Sequence, residues 1–177
     1  MIVPERAVPA GSGEEAALAE GRQSFEEFYE ASHQRLFVAL CLVTKSRHEA
    51  EEVMQEAFLR VLERWDGLGD VENLNAYLHR VAINVFRNRY RRAKLAMRRT
   101  LSLAPARDDL AAVEERDTVV RALRALTPQQ RQAIVLTTLL DYSSDEAGKM
   151  LGIKASTVRV LTTRARAAMR ERVDELR

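Results

Sequence analysis

Along most of the chain, apolar residues return every three or four positions, the interval that puts them on one side of a helix. Ser24 with Glu27 three residues on forms a capping-box signal. Phe25, Phe28, Tyr29, Leu36, Leu40 and Val43 then follow at helical spacing, with Ser32 on the same line. Phe37 and Leu42 widen the apolar arc, so this first helix is expected to be central. Ser46 with Glu49 opens a second helix, whose stripe is Ala50, Val53, Met54, Ala57, Phe58, Val61, Leu62 and Trp65. Its opposite face carries Glu49, Glu52, Gln55, Glu56 and Glu63. The stretch DGLGDVEN, residues 66–73, is a loop by its Gly and Asp content, and Asn73 suits the cap of a third helix. There Leu74, Tyr77, Leu78, Val81, Ala82 and Val85 face inward, leaving Arg80, Asn84, Arg87, Asn88 and Arg91 outward.

The periodicity dissolves after Arg99. Residues 100–117, with Pro105, small side chains and charge, are expected to form a flexible acidic linker; residues 1–23, with Pro4, Pro9, Gly11, Gly13 and Gly21, form a mobile tail. A short helix to about Ala125 follows, with Val119, Val120, Leu123 and Leu126 apolar. Thr127, Pro128 and Gln130 then supply a cap, a proline at the first helical position and a glutamine at the third, for a helix ending near Asp141. Ser143 with Glu146 starts a shorter helix that Gly152 terminates, and Ala155 to about Val173 forms the last. The expected fold is all-α: two small helical domains, 24–99 and 118–177, on a tether.

Composition agrees with a packed core, at 46% hydrophobic and 31% charged among 177 residues. The net charge of +2 says little, but its distribution says more. Between Arg80 and Arg99 there are eight basic residues and no acid, whereas 49–56 and 108–117 are acidic. Cys41 is the only cysteine, which rules out an internal disulfide and a Cys-based zinc site. With no run of ~18 apolar residues and no basic-then-apolar start, a cytoplasmic protein that inserts in no membrane is expected. His33, His48 and His79 fall on separate helices, and His79 is assigned to a solvated edge. No phosphate loop, HExxH pair or GxSxG elbow occurs. Neither enzymatic activity nor a metal or cofactor is expected.

The C-terminal helices carry a different chemistry. Asp145 to Leu151, the Gly152-Ile153 turn and Ala155 onward fit a helix-turn-helix, whose second helix enters the major groove. Ala147, Met150, Leu151, Ile153, Val158 and Leu161 can pack its two helices, leaving Arg159, Thr163, Arg164 and Arg166 for DNA. On the third helix Tyr77, Phe86 and Tyr90 interleave with Asn84, Arg87, Asn88, Arg91 and Arg92. Such a face can hold unstacked bases while arginines follow the backbone, or it can be a core edge beside a solubilising charge cluster.

Four stretches, EAEEVMQEAFLRVLERW, LNAYLHRVAINVFRNRYRR, LTPQQRQAIVL and LGIKASTVRVLTTRARAAM, resemble in order the signatures of bacterial extracytoplasmic-function sigma factors, over roughly residues 24–175. The resemblance implies a protein that docks on core RNA polymerase through Glu52, Gln55 and Glu56. It implies −10 promoter recognition as single-stranded DNA by Tyr77, Asn84, Arg87, Asn88, Arg91 and Arg92, with the loop from Asp70 to Asn73 lining a pocket for one flipped base. It implies −35 recognition in the duplex by Arg159, Val160, Thr163, Arg164 and Arg166, with Lys154, Ser156 and Thr157 beside them. An anti-sigma factor is implied as a further partner. Three positions depart from the family pattern. Ala147-Gly148 stands where relatives have Ile-Ala, and Val160-Leu161 replaces Ser-Arg, removing a phosphate contact. Tyr142 lies one position away from the usual aromatic. Two other readings are a free-standing helix-turn-helix regulator, which would dimerise on paired half-sites, and a degenerate sigma-like interaction protein.

Overall fold

The computed structural model describes residues 23–99 and 118–175, and every regular element in them is helical. The expected tail, up to residue 22, and the expected linker lie outside the described residues.

Helix α1, Phe25–Thr44, starts on the capping box read from the sequence: Ser24 accepts from the Glu27 amide, and Glu27 reaches back to the Ser24 amide. Lys45, in the left-handed region, ends it. Helix α2, Arg47–Leu62, has only half of its expected box. The Ser46 hydroxyl accepts from the Glu49 amide, but the Ser46 amide goes to the Thr44 hydroxyl. Its stripe closes at Val61, because Leu62 is exposed and Trp65 belongs to a 3-10 turn, Trp65–Leu68. Phe25 and Phe28 meet Phe58 and Trp65 there, mostly edge to face. Helix α3, Leu74–Arg99, is capped by Asn73, whose side-chain oxygen accepts from the Ala76 amide at 2.8 Å.

The second group comprises α4, Thr118–Arg124; α5, Pro128–Ile134; α6, Ser144–Leu151; and α7, Ala155–Glu175. The Thr127 and Ser143 boxes both form, with Pro128 at the start of α5. Of the apolar residues of α4 and its end, Leu123 and Leu126 are buried and Val119 is exposed. Helix α5 runs on into a π-helical stretch, Val135–Leu139, where the Leu140 amide reaches the Val135 carbonyl. Asp141 then takes φ 58°, a backbone that aspartate tolerates better than most residues, and turns the chain into α6.

These two groups are packed together. Leu36, Leu40 and Val43 of α1 and Ala82 and Ile83 of α3 share one small void with Val135, Leu136 and Leu140, and one apolar core continues from Phe28 to Val158. Helices that the sequence placed on a tether therefore bury surface against each other. Arg131, 4% exposed, crosses that seam: its guanidinium donates to the Val43 carbonyl at 2.9 Å and to the Leu126 carbonyl at 2.9 Å.

Candidate nucleic-acid interface

The second helix of the helix-turn-helix presents one continuous polar face. Lys154, Ser156, Thr157, Arg159, Val160, Thr163, Arg164 and Arg166 are all exposed, whereas Val158, Thr162 and Ala165 are buried. Burial at these intervals fixes the rotation of α7, so its arginines point away from α6. Gly148 sets how closely the two helices lie. A Cβ there would meet the Ile153 carbonyl oxygen at 2.8 Å and the Ala155 nitrogen at 3.3 Å, so the departure at 147–148 is a close packing of α6 on the turn. Gly152, at φ 64°, is the left-handed cap that makes the turn short.

On α3 the expected strand-binding residues are divided. Asn84, Arg91 and Arg92 are exposed, as is Asp70 in the preceding loop. Asn88 is half-buried and accepts from Arg91. Tyr77 is half-buried, and its hydroxyl accepts from Arg64 at 3.3 Å. Asn73 spends its side-chain oxygen on the helix cap. Phe86 is core, while Tyr90 is exposed beside it. Arg87, expected to point freely outward, instead donates to the Leu151 carbonyl at the end of α6. The reason is the docking of the two helical groups, which no local pattern encodes.

The acidic face of α2 is also engaged within the chain. Arg89 of α3 pairs with Glu52, and its other terminal nitrogen lies 3.8 Å from Glu56, which Arg60 bonds at 2.6 Å. Burial beside these acids raises the Glu49 carboxyl above its ordinary range, with Arg89 opposing the shift. Gln55 remains exposed.

His79 corrects the sequence reading most clearly. It is 5% exposed, not on a solvated edge, because the 140–142 turn covers it. Its Nδ1 lies 2.6 Å from the Tyr142 hydroxyl, and the two rings meet edge to face at 5.6 Å. Burial and the nearby Arg35 charge push the imidazole down to about 4, and burial raises the Tyr142 phenol to about 12. Both groups are neutral around pH 7, and the phenol can donate to the imidazole. Beside them a polar cavity of about 370 Å³ is lined by Ser32, Arg35, Asn73, Asn75 and Glu146, among others. Arg35 donates to the Leu139 carbonyl at 3.3 Å and lies 3.7 Å from the Asp141 carboxylate. Sequence reasoning missed Arg35 and His79 because their partners lie far away along the chain.

Two family models match the chain: Sigma-70 region 2 over residues 28–96 and Sigma-70, region 4 over residues 116–169. Those regions correspond to the basic-helix group and the helix-turn-helix group, and they define the sigma-70 class. The ECF RNA polymerase sigma factor SigM of Mycobacterium tuberculosis is 30% identical over 155 residues, covering 87% of this chain and 79% of its own length. The RNA polymerase sigma-E factor of Streptomyces avermitilis is 31% identical over 152 residues, covering 85% of each. The chain belongs to the extracytoplasmic-function sigma factors. The same fold occurs in the sigma factor RpoE in its complex with the anti-sigma factor NepR from Bartonella quintana, with TM-score 0.71, 21% identity and 85% and 96% of the two chains covered. It occurs again in CnrH in complex with the cytosolic domain of CnrY, with TM-score 0.62, 24% identity and 90% and 94% covered. Neither the free-standing regulator nor the degenerate partner finds support in these similarities.

Proposed function

We propose that this protein binds core RNA polymerase and directs it to a class of promoters, with no catalysis of its own. In this reading Glu52, Gln55 and Glu56 face the polymerase. Asn84, Arg87, Asn88, Arg91 and Arg92, with Tyr77 and the Asp70–Asn73 loop, take the −10 strand once it is melted. The exposed face of α7, from Lys154 to Arg166, reads the −35 duplex. Arginine can hydrogen-bond a guanine edge bidentately, and threonine can set its methyl against thymine. The protein works in the cytoplasm, and an anti-sigma factor is its regulatory partner. Among the described residues no helix is long and apolar enough to cross a membrane.

One observation carries the reading. A helix-turn-helix with an unobstructed polar face and a second helix rich in Asn, Arg and aromatic residues lie on one chain, suited respectively to duplex and to single strand. The test is run-off transcription: purified core enzyme plus this protein, on a promoter library with random −35 and −10 segments. Transcripts that depend on the protein and share two sequence elements are expected. Core enzyme that gains no promoter preference would overturn the proposal.

A further inference from the structure

Asp141 and Tyr142 present, side by side, an anion and a six-membered aromatic ring with a hydrogen-bonding substituent. The anion lies 3.7 Å from the Arg35 guanidinium, and the ring meets the buried His79 edge to face with its hydroxyl on Nδ1. A nucleotide of single-stranded DNA offers the same pair of features, a phosphate and an aromatic base with a polar edge. Around them the cavity supplies the amides of Asn73 and Asn75 and the Ser32 hydroxyl, which donates to Asn75 at 2.9 Å. About 370 Å³ of this cavity stays open beside Asp141 and Tyr142 with the two groups docked.

We infer that Arg35 and His79 form a nucleotide seat on the α1–α3 face, and that Asp141-Tyr142 occupies this seat as a built-in mimic while the two helical groups are docked. Arg35 takes a backbone phosphate and His79 packs edge to face against the base, as it does against Tyr142, with the Asn73 and Asn75 amides at the base edge. The inference deepens the proposed −10 reading, on which it rests. It adds two residues outside the basic face of α3 and makes strand capture and docking mutually exclusive. Arg87 is committed in the same way: expected on the strand, it holds the Leu151 carbonyl when docked. The left-handed Asp141 and the π-helical stretch before it give the mimic its position, since they turn Leu139, Asp141 and Tyr142 toward α1 and α3.

The experiment uses the full chain without polymerase. Binding is measured by fluorescence anisotropy to four 12-nucleotide homopolymers, and to a 12-unit abasic deoxyribose-phosphate strand. Tyr142→Ala empties the base position, so its affinity for at least one homopolymer should rise about tenfold, as expected when a competing docked state holds about nine-tenths of the molecules. The abasic strand should gain too, because undocking also frees Arg35 and Arg87. Adding His79→Ala to Tyr142→Ala should then cost homopolymer affinity and spare the abasic strand. Asp141→Asn, which relieves Arg35 of its anion, should raise affinity for both kinds of strand. If Tyr142→Ala proves unfolded by circular dichroism, Tyr142→Phe decides, with a smaller gain in the same direction through loss of the His79 hydrogen bond. Unchanged affinity for all four homopolymers, an equal loss on homopolymer and abasic strand when His79→Ala is added, or no strand binding by any variant would each overturn the seat. Run-off transcription separates the two readings: a wild-type protein that programs core enzyme while Tyr142→Ala gains nothing loses the seat and keeps the sigma activity.

Discussion

A methyl group at position 148 would sit 2.8 Å from a backbone carbonyl oxygen that cannot move without moving the Ile153 turn. Helix propensity alone favours Ala over Gly by about 1 kcal/mol. Overpacking opposes it by about 1–3 kcal/mol, and because the clashing oxygen belongs to the backbone the clash is the larger effect. Gly148→Ala should therefore lower stability by about 1–2 kcal/mol in urea denaturation. Unchanged or raised stability would mean the helix-turn-helix can relax. The acidic face requires similar care in choosing substitutions. Glu52 and Glu56 share Arg89, so charge reversal at either also sets two cations against each other within the chain. At these partly exposed sites each pair contributes only about 0.2–1 kcal/mol. Gln55 is exposed and is the cleaner probe. Gln55→Arg should weaken core-polymerase binding at least tenfold in a competition assay while leaving the melting temperature within about a degree, since surface changes rarely exceed about 0.5 kcal/mol. Equal binding by wild type and variant would remove α2 from the docking face. Single residues were legible in the sequence where their neighbours set their environment, as with the buried Val158 and the exposed Arg159. His79 was not, because a turn 63 positions away buries it.

Helix starts were the most legible elements. Ser24, Thr127 and Ser143 each satisfy an amide three residues on, and their partners return the bond. This reciprocity is local chemistry that sequence spacing records. Ser46 shows the limit of that signal: Thr44 outcompetes Glu49 for the Ser46 amide, while Glu49 lies half-buried near Arg89 of another helix. The π-helical stretch had no sequence signal, since Val135, Leu136 and Leu139 read as the end of an ordinary helix. Its consequence is positional, because it sets the turn that carries Asp141 and Tyr142. At the start of α6, Ser143→Ala removes the cap of the recognition motif's first helix. That change should cost about 1 kcal/mol of stability, read by thermal unfolding. It should also weaken binding to −35 duplex in the holoenzyme, whereas Ser143→Asn should restore most of both. Failure of Asn to rescue would show that the hydroxyl does something besides capping.

At the scale of the whole molecule, the proposed reading asks α3 and α7 to reach two promoter elements at once from groups that are here packed together. The −35 and −10 elements are about 25 base pairs apart by name, roughly 85 Å of duplex at about 3.4 Å per base pair. Here Arg87 of one group touches the end of α6 in the other. On that reading docking must be undone before both elements are read together; residues 100–117 have the composition of the linker this needs, whereas no local pattern encodes the docked arrangement. The apolar faces that meet were each readable; their mutual burial was not, because amphipathic spacing does not say which face covers which. Docking should also depend on pH. The His79 imidazole is held at about 4 in the docked chain by burial and by Arg35, against 6.5 ordinarily, with the neutral Tyr142 phenol facing it. The undocked chain therefore binds this proton more tightly. Docking is at full strength above pH 6.5 and should weaken progressively as the pH falls toward 4. His79→Gln should flatten that profile in an interdomain energy-transfer titration.

The most direct test of this account places one dye at Glu63 on the front group and one at Arg170 on α7, both exposed positions. Energy transfer is then measured in the free chain and in a transcribing promoter complex. Efficient transfer is expected in the free chain, and a separation beyond about 60 Å in the complex, as two elements spread along duplex require. A complex that transcribes while the two dyes keep their free-chain distance would contradict it.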